Sequence, residues 1–135
     1  MKLWMFPMLL IGAALNGEAQ QATVPAPPSF VTWDAKMKDI GVVRKGEKRT
    51  LYFELTNTSD SVIQIDLVDA CSCTTTDYPR GIIGVGEKAR IEAVFDSSEK
   101  DHGETIDVNV LFRQTDTHGQ PRLEVVRYKF ELEKG

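Results

Sequence analysis

Thr50-Leu51-Tyr52-Phe53-Glu54-Leu55-Thr56 alternates without a break. Leu51, Phe53 and Leu55 share one side, and Tyr52, Glu54 and Thr56 share the other. Side chains of a strand point to opposite faces at every step, so this period of two predicts a half-buried β-strand. The pattern recurs along the chain. Residues 88–96 place Ala89, Ile91, Ala93 and Phe95 inward, and residues 104–113 do the same with Ile106, Val108, Val110 and Phe112. Residues 122–133 align Val126, Tyr128, Phe130 and Leu132.

Turn signals separate these runs: Lys45-Gly46-Glu47-Lys48, Asn57-Thr58-Ser59-Asp60-Ser61, Pro79-Arg80-Gly81, Gly84-Val85-Gly86-Glu87, and polar stretches at 97–103 and 115–121. No segment beyond the N-terminal apolar run keeps a 3.6-residue period. Short strands at regular spacing predict an all-β fold, an immunoglobulin-like antiparallel β-sandwich of about seven strands over residues 30–135. Its two cysteines are near neighbours, so no bridge joins distant strands and apolar packing must close the core.

Two runs break the pattern. Residues 30–35 and 40–43 read as a broken first strand, with Asp39 and Gly41 marking a bend or bulge. Residues 62–70 align Ile63, Ile65 and Leu67, after which Val68 and Ala70 fall on the opposite parity. The apolar face is expected to switch just before Cys71, by a bulge or by the strand changing sheets.

The N-terminus reads as an export signal. Lys2 precedes an apolar run from Leu3 to Leu15, and Gly17-Glu18-Ala19 sets small residues before a cut after Ala19. Residues 1–19 are the expected signal peptide, too short an apolar run to span a bilayer. Residues 20–29 contain Val24-Pro25-Ala26-Pro27-Pro28 and read as a Pro-rich linker. The expected location is the periplasm or the cell surface, with no stable membrane insertion once the signal is removed. The chain has 135 residues and a net charge of −4. Cutting off Lys2 and Glu18 together leaves that charge unchanged. A mildly acidic chain with interspersed charges offers no electrostatic field for nucleic acid.

Cys71-Ser72-Cys73 holds the only cysteines. In an extended strand their Cα atoms would lie about 6.6 Å apart on one side, near the upper limit for a disulfide. Loop entropy gives a three-residue ring only about 1.6 kcal/mol, against about 3 kcal/mol for fifteen residues. Three readings of Cys71 and Cys73 stand open. They form a local structural disulfide or two inert thiols at a strand switch, a redox-active pair, or a metal site. Zinc wants four ligands, which His102 and His118 would have to complete; soft thiolates suit cuprous copper better.

The order of several segments resembles a known family. Asp39-Ile40-Gly41-Val42 and Gly46-Glu47 precede Leu55-Thr56-Asn57-Thr58. Cys71-Ser72-Cys73-Thr74, Tyr78-Pro79, Ile83, Gly86-Glu87-Lys88 and Val94-Phe95-Asp96 follow. Between Trp33 and about Phe112 this resembles the bacterial family of secreted proteins called domain of unknown function 1573, with its Cys-Gly-Cys-Thr signature. The resemblance implies an immunoglobulin-like domain of the kind seen in pilus chaperones and major sperm protein, and a non-catalytic module. Ser72 stands where the family has Gly, and Val85 where it has the turn Pro.

The other chemistry-bearing residues read more simply as structure. His102 and His118 sit in turns, and Asp96, Ser97 and Ser98 lack a positioned histidine. Asp66 and Asp69 have different parities. Thr74-Thr75-Thr76 reads as polar strand, while Trp33 and Tyr78 read as packing at a sandwich end. Gly84-Val85-Gly86 has no helix after it to cradle a phosphate. Asn57-Thr58-Ser59 matches a glycosylation acceptor but reads as a turn in a bacterial chain. The leading expectation is thus a secreted binding or scaffolding module, not an enzyme, with no metal or cofactor. It would engage an unknown protein partner by edge-strand pairing. The alternative is a thiol–disulfide redox or copper-binding protein centred on Cys71 and Cys73.

Overall fold

A computed structural model describes residues 30–133. The expected signal peptide, the linker and the last two residues lie outside the described residues.

Eight strands form two four-stranded sheets. β1 (Val31–Trp33), β3 (Lys48–Asn57), β6 (Lys88–Asp96) and β5 (Thr74–Asp77) make the first, in the order β1-β3-β6-β5. β2 (Met37–Arg44), β8 (Pro121–Glu133), β7 (Glu104–Thr115) and β4 (Ile65–Asp69) make the second, in the order β2-β8-β7-β4. The order matches the two-sheet immunoglobulin arrangement, with β2 added beside the last strand.

The alternating runs behave as their period dictates. β3 and β6 pair antiparallel from Lys48↔Asp96 to Thr56↔Lys88. They bury Phe53, Leu55, Ile91 and Phe95 completely. From the other sheet Val108, Val110, Phe112, Val126, Tyr128 and Phe130 meet them. Phe95 stacks on Phe130 with ring centroids 4.4 Å apart, and Phe30 meets Phe112 edge-on at 4.9 Å. Each such side chain contributes about 1.5–3 kcal/mol against exposure to water.

The broken first strand explains why there are eight strands where about seven were expected. β1 runs antiparallel to β3, then the chain steps across to the second sheet without reversing. β2 therefore runs parallel to β8, the one parallel pairing in an otherwise antiparallel sandwich. The Asp34 carboxylate fastens the step: it accepts the N–H groups of Ala35 (2.8 Å) and Glu54 (3.1 Å) and pairs with Lys38 (2.8 Å). Partial burial pushes its pKa up, but these donors outweigh that and hold the group below the usual carboxylate value. Within β2 the register shifts between Asp39 and Val42, and Gly41 takes a φ of 78° that favours glycine. Asp39 Oδ1 accepts the Gly41 N–H at this bulge.

The run at 62–70 departs from its expected pattern. Leu67 is not inward: it is 51% exposed, whereas Val68 is 6% exposed. The register against β7 shifts between Ile65 and Leu67, so the apolar face switches at Asp66, earlier than the sequence suggested. Ile63 lies outside β4, in an isolated bridge to Ile83. After Asp69 the chain crosses from the second sheet to the first, and Ala70–Cys73 is the crossing.

Asn57 closes β3 and is fully buried. Its amide donates to the carbonyls of Ser61 (2.8 Å), Ile83 (3.1 Å) and Gly84 (3.1 Å), fastening two turns to one point. That use of its nitrogen supports the turn reading over a glycan acceptor.

Candidate functional site

The crossing folds into a tight turn. The Thr74 N–H donates to the Cys71 carbonyl at 3.0 Å, and the Asp96 N–H donates to the Cys73 carbonyl at 2.9 Å. The first bond closes a four-residue turn, and the second anchors it to the end of β6. Turning shortens the Cα–Cα distance of Cys71 and Cys73 to 5.1 Å, below the extended spacing and within the usual disulfide range. The two sulfurs face one another as a close pair. Both residues are half-buried against the core, and Ser72 stands exposed at the tip.

Thr74 is the hub behind the pair. Its Oγ1 lies 3.3 Å from Cys71 Sγ and 3.3 Å from Cys73 Sγ. The same oxygen is 2.5 Å from the Tyr128 hydroxyl. Tyr128 belongs to β8 in the opposite sheet and is fully buried. Burial raises its pKa to about 12, and the charge of Glu104 adds to the rise. The sequence reading placed Tyr128 only among core positions and Thr74 only as polar strand. One signal was present: a hydroxyl among Val126 and Phe130 on an inward face needs a partner when buried.

In front of the sulfurs is a shallow depression of about 250 Å³, lined by Cys71, Ser72, Cys73, Asp96, Ser98, Glu99 and Lys100. Lys100 is held by both carboxylate oxygens of Glu104, at 3.0 and 3.1 Å. Asp96 accepts the Ser98 N–H, which holds its pKa below the usual carboxylate value. Ser97 is fully buried, and its hydroxyl bonds the β2–β3 turn at Arg44, Gly46 and Glu47. Among the described residues no third His, Cys, Asp or Glu joins the pair in a metal-holding group. His102 is exposed with its ring Nδ1 against the Gly103 carbonyl, and His118 is exposed in the β7–β8 turn. A larger, open depression of about 670 Å³ lies beside Arg44, Glu47, Arg49 and Glu133. Its charges are spent on one another, through the Arg49–Glu47 and Arg44–Glu133 pairs.

The sheet edges and one face complete the inventory. Side chains cover carbonyls at both edges of the second sheet: Thr76 on Val68 and Tyr78 on Asp66 at β4, and Arg49 on Ile40 and Val42 at β2. On the outer face of the second sheet, Leu67 pairs with Leu111, and Leu111 pairs with Leu123. The three leucines form a row across β4, β7 and β8; Leu67 is 51% exposed and Leu123 54%.

Solved structures share this architecture at low identity. The chain is similar to a domain described as the ASH / PapD-like domain of human CEP192, with TM-score 0.64 and 10% identity, covering 91% of this chain and 99% of that one. It is similar to the periplasmic chaperone SfaE, with TM-score 0.52 and 13% identity over 77% of this chain and 58% of that chain. It also matches the VesB protease of Vibrio cholerae, with TM-score 0.60 and 14% identity over 76% of this chain. The chain spans only 32% of VesB's own length. No curated protein matches it. The fold is therefore an immunoglobulin-like sandwich of the kind seen in PapD-like domains, with a paired-cysteine turn at a sheet crossing. The chain belongs to the family described as "Protein of unknown function (DUF1573)", whose model matches residues 31–126.

Proposed function

We propose that this is an exported, non-catalytic domain that binds another protein through the outer face of its second sheet. The observation that carries this reading is the in-register row Leu67–Leu111–Leu123. Three leucines directly side by side on a solvent-facing sheet are an apolar strip that a partner's apolar side chains would cover. Charged residues flank the strip, including the Arg113–Asp66 and Arg127–Asp107 pairs, which suit the rim of such an interface. Edge-strand pairing on the second sheet would first have to displace the side chains that cap β2 and β4. Docking on the face needs no such exchange. The export signal read in residues 1–19 supports a periplasmic or cell-surface setting.

The test is to express the full chain in a bacterial host and determine the N-terminus of the exported product, expected at Gln20. A photo-crosslinker at position 67 or 123 should capture a discrete partner, and one at the opposite face, at Glu92, should not. Crosslinking at Glu92 alone, or retention of the uncut chain in the cytoplasm, would overturn the reading.

A further inference from the structure

We propose that Cys71 and Cys73 form a thiol–disulfide exchange site, in which a hydrogen-bond relay from Tyr128 through Thr74 holds the leaving thiolate, and whose co-reactant is a protein dithiol. This goes beyond the binding role and rests on different residues.

The direction of the relay follows from burial. The Tyr128 hydroxyl is shut away from water, and a buried hydroxyl proton without an acceptor is costly. The partner in reach is Thr74 Oγ1, at 2.5 Å, where either oxygen could donate. The buried phenol proton needs an acceptor and Thr74 has sulfurs to donate to, so we assign Tyr128 as donor and Thr74 as acceptor. The Thr74 proton then points away from Tyr128, and the two sulfurs at 3.3 Å are the acceptors in reach. A disulfide sulfur is a weak acceptor, whereas a thiolate is a strong one. The relay therefore favours the thiolate and, through it, the reduced state. The three-residue ring adds little entropy in favour of the bridge. Both effects make the bridge a ready electron acceptor, as in oxidants whose reduced form is stabilised.

The reaction balances as follows. A thiolate of the partner attacks one cysteine Sγ, the Sγ–Sγ bond breaks, and its electron pair stays on the other sulfur. That sulfur leaves as a thiolate and receives the Thr74 hydrogen bond. The partner's second thiol loses its proton and attacks the partner sulfur of the mixed disulfide. This frees the remaining cysteine as a thiolate, which takes up a proton. The partner dithiol becomes a disulfide, and Cys71 and Cys73 gain two electrons and one proton, ending as one thiol and one thiolate held by Thr74. Thr74 stands equally near both sulfurs, so it serves whichever one leaves. The depression beside exposed Ser72 gives the incoming thiolate its approach.

The purified full chain is equilibrated with glutathione buffers of graded ratio, and the oxidised fraction is counted by mass spectrometry after alkylation. Iodoacetamide rates on the reduced protein are then followed against pH. Thr74→Val should shift the equilibrium toward the disulfide about tenfold, some 30 mV, and raise the alkylation midpoint by about one pH unit. Thr74→Ser should restore both. Tyr128→Phe should move both in the Thr74→Val direction by a smaller amount, and it stands in for Thr74→Val if that variant does not fold. Thermal melts confirm folding of each variant. An unchanged equilibrium and pH profile in folded Thr74→Val, or in folded Tyr128→Phe if that is the variant available, would overturn the relay. A wild-type pair that does not exchange with glutathione at any ratio would overturn the site.

Discussion

The hydroxyls of Thr74 on β5 and Tyr128 on β8 lie 2.5 Å apart across the sandwich, joining residues 54 positions apart in sequence. They are the polar tie between the two sheets just behind the paired cysteines. A buried pair of hydroxyls that satisfy each other fixes one arrangement of the sheets, because any slip leaves a proton without an acceptor.

A double-mutant cycle should measure that tie. Thr74→Val and Tyr128→Phe each remove one hydroxyl and strand the other. Each is expected to cost about 1–2 kcal/mol, and the double variant less than their sum. Urea unfolding of the four proteins gives the coupling, expected near 1 kcal/mol. Additive losses would show that the hydroxyls act separately.

Tyr128 should also set the alkaline limit of stability. Its pKa is raised from 10.0 to about 12, mainly by burial. Below pH 10 the phenol is neutral folded or unfolded, so its neutral-state packing is fully available. Between pH 10 and about 12 the unfolded chain ionises first, and stability falls as pH rises. Thermal melts across that window should show a drop that Tyr128→Phe lessens. Absorbance titration should show a tyrosine ionisation near pH 12 that Tyr128→Phe removes.

Asn57→Ala should be among the most damaging single changes. The carbonyls of Ser61, Ile83 and Gly84 each lose the Asn57 amide, and that side chain is fully buried where it joins the two turns. The Ser59 N–H and hydroxyl lose the Asn57 Oδ1 as well. The expected cost is about 2–3 kcal/mol, from a cluster of hydrogen bonds lost at once and the buried cavity left behind. The urea midpoint checks it, and a shift worth under about 1 kcal/mol would show that the two turns hold without this side chain.

The leucine row should tolerate change in the free domain. Leu67→Ser and Leu123→Ser alter side chains already about half exposed, so together they should cost under about 1 kcal/mol. The same pair should weaken any partner captured at positions 67 or 123 by tenfold or more. Binding titrations beside thermal melts separate the two effects.

Much of the fold was legible locally. The period of two at 50–56, 88–96, 104–113 and 122–133 told which residues face inward, and the structure buries Phe53, Ile91, Val108 and Phe130 accordingly. Asp39 and Gly41 announced a bulge, and the parity change before Cys71 announced a bulge or a change of sheet, which the structure resolves as a bulge at Asp66 followed by a crossing after Asp69. The site was legible only in part. Cys71 and Cys73 stood out by their spacing, but Thr74 and Tyr128 looked like ordinary strand and core residues.

The sequence by itself determined the strands, their inward faces and the nearness of the two sulfurs, because alternation and a two-residue spacing are local properties of the chain. Only the tertiary structure decided that Leu67 turns outward, that β2 runs parallel to β8, and that Thr74 meets Tyr128. Each of these depends on which distant strand a segment pairs with or packs against. That choice is made by the assembled sandwich and leaves no periodicity in the stretch itself.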